Sequence, residues 1–130
     1  MARPSGKDDR NMPRIAWRLA FWCLLSVITV MSLTPVAHLP RAFDIWDKAQ
    51  HAAGFGVLTM TGVCAYHGGP WRWVVAMGLY GAGIELAQAA TGWRTGDALD
   101  WVADMVGVAA ALLVRAGLAR RDTTGMPTPG

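Results

Sequence analysis

Nine side chains in this sequence can bind, pair or move protons: Asp47, Lys48, His51, Glu85, Gln88, Arg94, Asp97, Asp100 and Asp104. Lys48 and His51 are three residues apart, as are Glu85 and Gln88, and Asp97 and Asp100, with Asp104 four further on. Residues three, four or seven apart share one side of a helix. His51 with Glu85 makes a candidate general-base pair, and Asp104 joins them as a candidate catalytic group. Lys48 and Arg94 supply positive charge suited to a phosphate or pyrophosphate. All nine are candidate ligand-binding residues. A divalent metal between His51, Glu85, Asp100 and Asp104 is a subordinate alternative, since imidazole and carboxylate are suitable donors. There is no His-Glu-x-x-His or Cys-x-x-Cys pattern, and no Ser or Cys nucleophile near the cluster. Neither a metal nor a cofactor is therefore expected, and binding is favoured over catalysis.

The elements that must position these groups are apolar. Of 130 residues, 53% are hydrophobic and 16% charged, where a soluble domain carries about 25% charged residues. Four windows stand out: 15–34 has Arg18 as its only charge, 49–66 has no Lys, Arg or acid, 73–91 has only Glu85, and 101–118 has Asp104 and Arg115. A hydrocarbon core of about 30 Å requires about 20 helical residues. The expected fold is all-α: a four-transmembrane-helix bundle with short loops and spans near 15–34, 48–66, 73–91 and 99–118. A basic tail precedes it over 1–14, and the polar segment 119–130 is expected to be disordered. Pro35 and Pro40 stop the first helix, and Gly68-Gly69-Pro70 signals a tight turn. A cleaved signal peptide is disfavoured because Thr34 to His38 lacks an Ala-x-Ala pattern. Cys23 and Cys64 fall inside spans, with no loop to carry a disulfide framework. The same apolarity excludes a soluble nucleic-acid binder despite a pI near 9.3.

Charge sets the expected orientation. Nine of the twelve Lys and Arg residues lie before or early in the first span, in the 67–72 turn, or at the end of the chain; only Arg41, Lys48 and Arg94 lie elsewhere. The positive-inside rule then puts both termini in the cytoplasm. Trp17, Trp71 and Trp73 fall at inner span ends and Trp46, Trp93 and Trp101 at outer ones, as an interfacial belt requires. At 1.5 Å per residue, Glu85 and Asp104 lie about 9 Å, and His51 about 6 Å, below the outer ends of their helices. Three helices thus bring polar groups to one level. Ionisable groups at such depth are functional-site hypotheses by default. The structural alternative makes Asp44 and Asp97 helix caps and pairs Glu85 and Asp104 with Arg94 or Lys48. Gly54, Gly56 and Gly62, Gly78, Gly81 and Gly83, and Gly107 with its neighbouring alanines mark close-packing faces. They imply a tight bundle of spans two to four, with the first span facing lipid.

Asp47-Lys48-x-x-His51, Glu85-x-x-Gln88 and Arg94-x-x-Asp97-x-x-Asp100-x-x-x-Asp104-x-x-Gly107, in this order over about 46–114, resemble the VanZ-like family. That resemblance implies a small four-helix protein of the bacterial cytoplasmic (inner) membrane, whose prototype is associated with resistance to the glycopeptide teicoplanin. Asp104 departs from the family pattern, which usually has Asn there, and adds a negative charge. The function expected is binding or modification of a lipid or lipid-linked headgroup at an outer-leaflet site. Its partners would be membrane lipids or a lipid-linked cell-wall or polysaccharide precursor, and the outcome a contribution to envelope or glycopeptide tolerance. One alternative is a structural subunit whose charges fix helix packing, with a membrane-protein partner or a second copy docking on its glycine faces. The other is a metal-dependent membrane hydrolase.

Overall fold

The computed structural model describes residues 13–35 and 47–124. Four helices make up this part: α1 (Arg14–Leu33), α2 (Asp47–Ala65), α3 (Pro70–Thr91) and α4 (Ala98–Thr124). No strand occurs among the described residues. The expected Asp44 cap and Trp46, with Arg3, Lys7, Arg10 and Arg41, lie outside them.

Local chemistry sets the ends. Pro13 precedes α1, and Thr34 closes it by donating its backbone N–H to Val30 O at 3.0 Å. Pro70 opens α3 three residues earlier than the apolar window, because a proline at the first helical position loses no hydrogen bond. Gly92, at φ 77°, ends α3 in the left-handed conformation that glycine adopts without steric cost. α4 overruns its apolar window and ends at Thr124 rather than Leu118. The expectation of disorder from residue 119 is therefore corrected over 119–124, where Arg121 in the last turn favours the negative end of the helix dipole.

Contacts between helices give the arrangement. Lys48 meets Asp100, His51 meets Asp104 and Arg115 meets Val63, so α2 and α4 run parallel in register. Tyr80 and Gln88 reach Leu25 and Ser32 in the same sense, so α1 and α3 are parallel too. Around the bundle the order is α1, α2, α4, α3. The closest pair is α2 with α4, where a Cβ on Gly107 would collide with the Ala52 carbonyl and Gly56 faces Gly107 O. Helix association in lipid depends on such close van der Waals approach. The tight bundle of spans two to four is corrected in one respect: α2 and α3, joined by the 66–69 turn, are diagonal and meet at the Trp73 ring over Gly62. Trp73 is buried rather than interfacial.

The core is apolar, with Phe55, Leu58, Ile84 and Val108 buried, but charge and apolar surface are not fully segregated around it. Leu19, Leu79, Leu86 and Leu113 face outward, whereas Asp104, Gln88 and Asp100 are buried. All four helices are long enough to cross a hydrocarbon core; α1 and residues 98–121 of α4 are also apolar enough. These two are diagonal neighbours. Asp47, Lys48, Gln50 and His51 lower the apolarity of α2, as Arg72, Glu85 and Gln88 do that of α3.

Candidate functional site

The N-terminal turns of α2 and α4 lie side by side and build the site. Asp97 starts α4 by accepting the Leu99 N–H on Oδ1 at 2.9 Å, which confirms it as a helix-initiating side chain. Its other oxygen accepts Lys48 Nζ at 3.0 Å, and Lys48 also donates to Asp100 Oδ1 at 2.8 Å. The Leu99 N–H and then the Lys48 ammonium hold the Asp97 carboxyl below the usual carboxylate range. Lys48 thus ties α2 to α4, and its half-exposed ammonium keeps a third proton for a further acceptor.

One turn deeper, His51 Nδ1 lies 2.9 Å from Asp104 Oδ1, while Nε2 is 3.8 Å from Asp100 Oδ2 and 3.9 Å from Asp47 Oδ1. The first distance is a hydrogen bond and the other two are too long for one. The imidazole's close carboxylate is therefore Asp104, where the sequence pairing favoured Glu85. Glu85 instead accepts the Asp97 backbone N–H on Oε2 at 2.6 Å. Gly96 makes this possible, since a Cβ there would lie 2.6 Å from the Glu85 carbonyl oxygen. Gly81 likewise leaves room for Asp104, whose Oδ2 would stand 3.0 Å from a Cβ at that position.

Arg94 and Gln88 turn toward α1. Arg94 Nη2 donates to Met31 O at 3.2 Å and Gln88 Nε2 to Ser32 O at 3.0 Å. Lys48 pairs with Asp97 and Asp100, and the expected pairing of Glu85 and Asp104 with Arg94 or Lys48 is replaced by bonds to Asp97 N and His51.

Between α1, α2 and the α3–α4 connection lies a cavity of about 760 Å³. Val27, Ile28, Met31 and Phe55 form its apolar side; Asp47, His51, Gln88, Arg94, Asp97 and Asp100 form its polar side. Gln88 Oε1 and Arg94 Nε are buried without a hydrogen-bond partner among the described residues. An unpaired buried polar atom costs about 1–3 kcal/mol, so a bound molecule that satisfies these atoms gains affinity there. The cavity brings together six of the nine candidate residues, while Glu85 and Asp104 sit behind His51.

The sequence reading missed α1. Its Thr29 and Ser32, three residues apart in the apolar stretch after Arg18, lie on the half-buried side of the helix, a signal the spacing carried. Thr29 Oγ1 shares a 2.8 Å hydrogen bond with Tyr80 Oη, and Trp93 Nε1 donates to Leu33 O at 3.2 Å. The first helix is thus a wall of the cavity. Compared with family models, curated proteins and solved structures, the chain matches none.

Proposed function

We propose that this is a multi-pass membrane protein of the VanZ-like type that binds a lipid or lipid-linked headgroup in the cavity between α1 and α2. The observation that carries the reading is the cavity's two-sided lining. Val27, Ile28 and Met31 suit an acyl or prenyl chain, the unpartnered Arg94 Nε–H suits a phosphate oxygen, and the unpartnered Gln88 Oε1 suits a hydroxyl or amine donor on the same head. Support for membrane residence comes from the outward-facing leucines on a bundle that buries Asp100 and Asp104. An apolar surface of that extent on a monomer marks a membrane or partner contact. All four helices cross in this reading, with both termini cytoplasmic by the positive-inside rule and the cavity in the outer leaflet. A bacterial inner-membrane location and a contribution to glycopeptide tolerance follow from the family resemblance.

The direct test is native mass spectrometry of the detergent-purified protein with a short-chain polyprenyl phosphate and, separately, phosphatidylglycerol. Binding of either that falls about tenfold or more in Arg94→Ala, a loss of about 1.4 kcal/mol, supports the reading. Equal affinity in the variant removes it. A reporter fused after Asp97 that signals from the cytoplasm would overturn the outer-leaflet placement.

A second reading has its own observation. Lys48 with Asp97 and Asp100, and His51 with Asp104, are satisfied within the bundle. Such internal pairing is what a subunit needs when its charges only fix helix register.

A further inference from the structure

Behind the cavity, His51, Glu85 and Asp104 come from three different helices, and their donor atoms all lie within 4.8 Å of one another. Asp104 is fully buried. Its Oδ2, and Glu85 Oε1, have no hydrogen-bond partner among the described residues. The remaining oxygens are fixed: Oδ1 of Asp104 faces His51 Nδ1 at 2.9 Å, and Oε2 of Glu85 accepts the Asp97 N–H. Lys48, the neighbouring ammonium, is engaged by Asp97 and Asp100. Two carboxylates thus converge on one imidazole with two buried lone-pair sites left over. Buried charges in proteins are paired or coordinate metals.

We infer that His51, Glu85 and Asp104 form a site for one divalent transition-metal ion of the zinc or manganese kind. Donors bound at about 2.0–2.1 Å in tetrahedral geometry lie about 3.3–3.4 Å apart, so the 2.9 Å hydrogen bond between His51 Nδ1 and Asp104 Oδ1 would open by a few tenths of an ångström as the ion replaces its proton. Ion binding requires the imidazole proton to sit on Nε2, where Asp47 and Asp100 lie 3.9 and 3.8 Å away, beyond hydrogen-bond length but near enough for their charge to favour that tautomer. Glu85 would complete the set through Oε1, which has no hydrogen-bond partner among the described residues. One imidazole and two carboxylates suit zinc and manganese, and drawing them from facing helices follows a known way of building metal centres in helical bundles. The inference does not rest on the headgroup reading, because the ion is measured in detergent with no lipid probe present.

The test uses the full-length protein, stripped with a chelator and titrated separately with Zn2+ and Mn2+, followed by metal analysis after gel filtration. One equivalent of either ion, a raised Tm, and affinity on the order of tenfold or more weaker in both Glu85→Gln and Asp104→Asn support the site. Absence of a stoichiometric ion for both metals overturns it. So does binding that survives Glu85→Gln but is lost in Asp47→Asn, which would put the ion at the rim between Asp47, His51 and Asp100. Should either variant fail to fold, imidazole 15N spectra of the unaltered protein decide: an ion-dependent shift of His51 Nδ1 is expected, and an unchanged resonance overturns the site.

Discussion

The two ends of the bundle use the same helices and opposite means of holding them. At one end Phe21 packs edge-on against Trp22, Tyr66 and Trp73 with ring centres 5.6 to 6.0 Å apart. Trp73 fills the space left by Gly62. Even the cations there serve packing and capping: Arg18 sits 5.2 Å over the Tyr66 ring, and Arg115 donates to the Val63 carbonyl at 2.7 Å. At the other end Lys48, His51, Glu85, Asp97, Asp100 and Asp104 take the place of rings, with unsatisfied oxygens among them and a cavity alongside. Toward the aromatic end the one unpartnered buried side-chain atom among the described residues is Thr59 Oγ1, against four at the polar end. The polar end leaves binding capacity unused, and this separates a region that holds the fold from one that holds a ligand.

The largest expected effect breaks the aromatic end. Trp73→Ala should cost about 3 kcal/mol, the low end for a large core truncation because the water-transfer part of that cost is absent in lipid. Denaturant or thermal unfolding in detergent measures it, and polyprenyl-phosphate binding by the folded fraction should be unchanged. Gly107 couples the ends. Gly107→Val pushes α4 off the Ala52 carbonyl and should cost about 1–3 kcal/mol while also weakening headgroup binding, because the His51 to Asp104 register moves with it. Stability loss with unaltered binding would separate helix spacing from the site.

Within the polar end, exchanging Lys48 and Asp100 as a double variant keeps an ion pair while moving its charges. Recovery of Tm with headgroup binding still reduced about tenfold is expected if the cavity is a ligand site. Full recovery of both would favour the structural reading. Gln88→Leu removes one bond to α1 and one unsatisfied oxygen together, so stability should change by less than about 1 kcal/mol, with binding severalfold weaker by native mass spectrometry.

The smallest effect is a pH dependence at Asp97. Its carboxyl titrates below the ordinary value of 3.8, chiefly through the Leu99 N–H and then Lys48. Its stabilisation is therefore complete above that ordinary value and is lost as pH falls through the lower folded one. Unfolding curves from pH 7 to 5 should be unchanged by Asp97→Asn in their pH slope, and only those below about pH 4 should differ.

How much was legible follows the range over which each signal acts. Hydrophobic windows, Pro35 and Gly68-Gly69-Pro70 are local, and each helix end they implied falls close to its observed place except the end of α4, where Ala119 to Thr124 continue the helix with no apolar pattern to announce it. Asp97 as a cap was legible because a cap bonds two residues away. The pairing of His51 was not. Glu85 and Asp104 stand at similar depths, and nothing in their spacing says which one the imidazole reaches.

The sequence by itself determined four helices, their polar level and the set of residues that could act there, because helix periodicity and chain-breaking residues are properties of neighbours along the chain. Only the tertiary structure decided that α2 and α4 pack in parallel through Gly107, that Lys48 bridges Asp97 and Asp100, and that α1 walls the cavity. Those outcomes depend on how closely two backbones approach and on which of several equivalent carboxylates comes within about 3 Å of a donor. Distances of that size are set between helices, after each helix has formed.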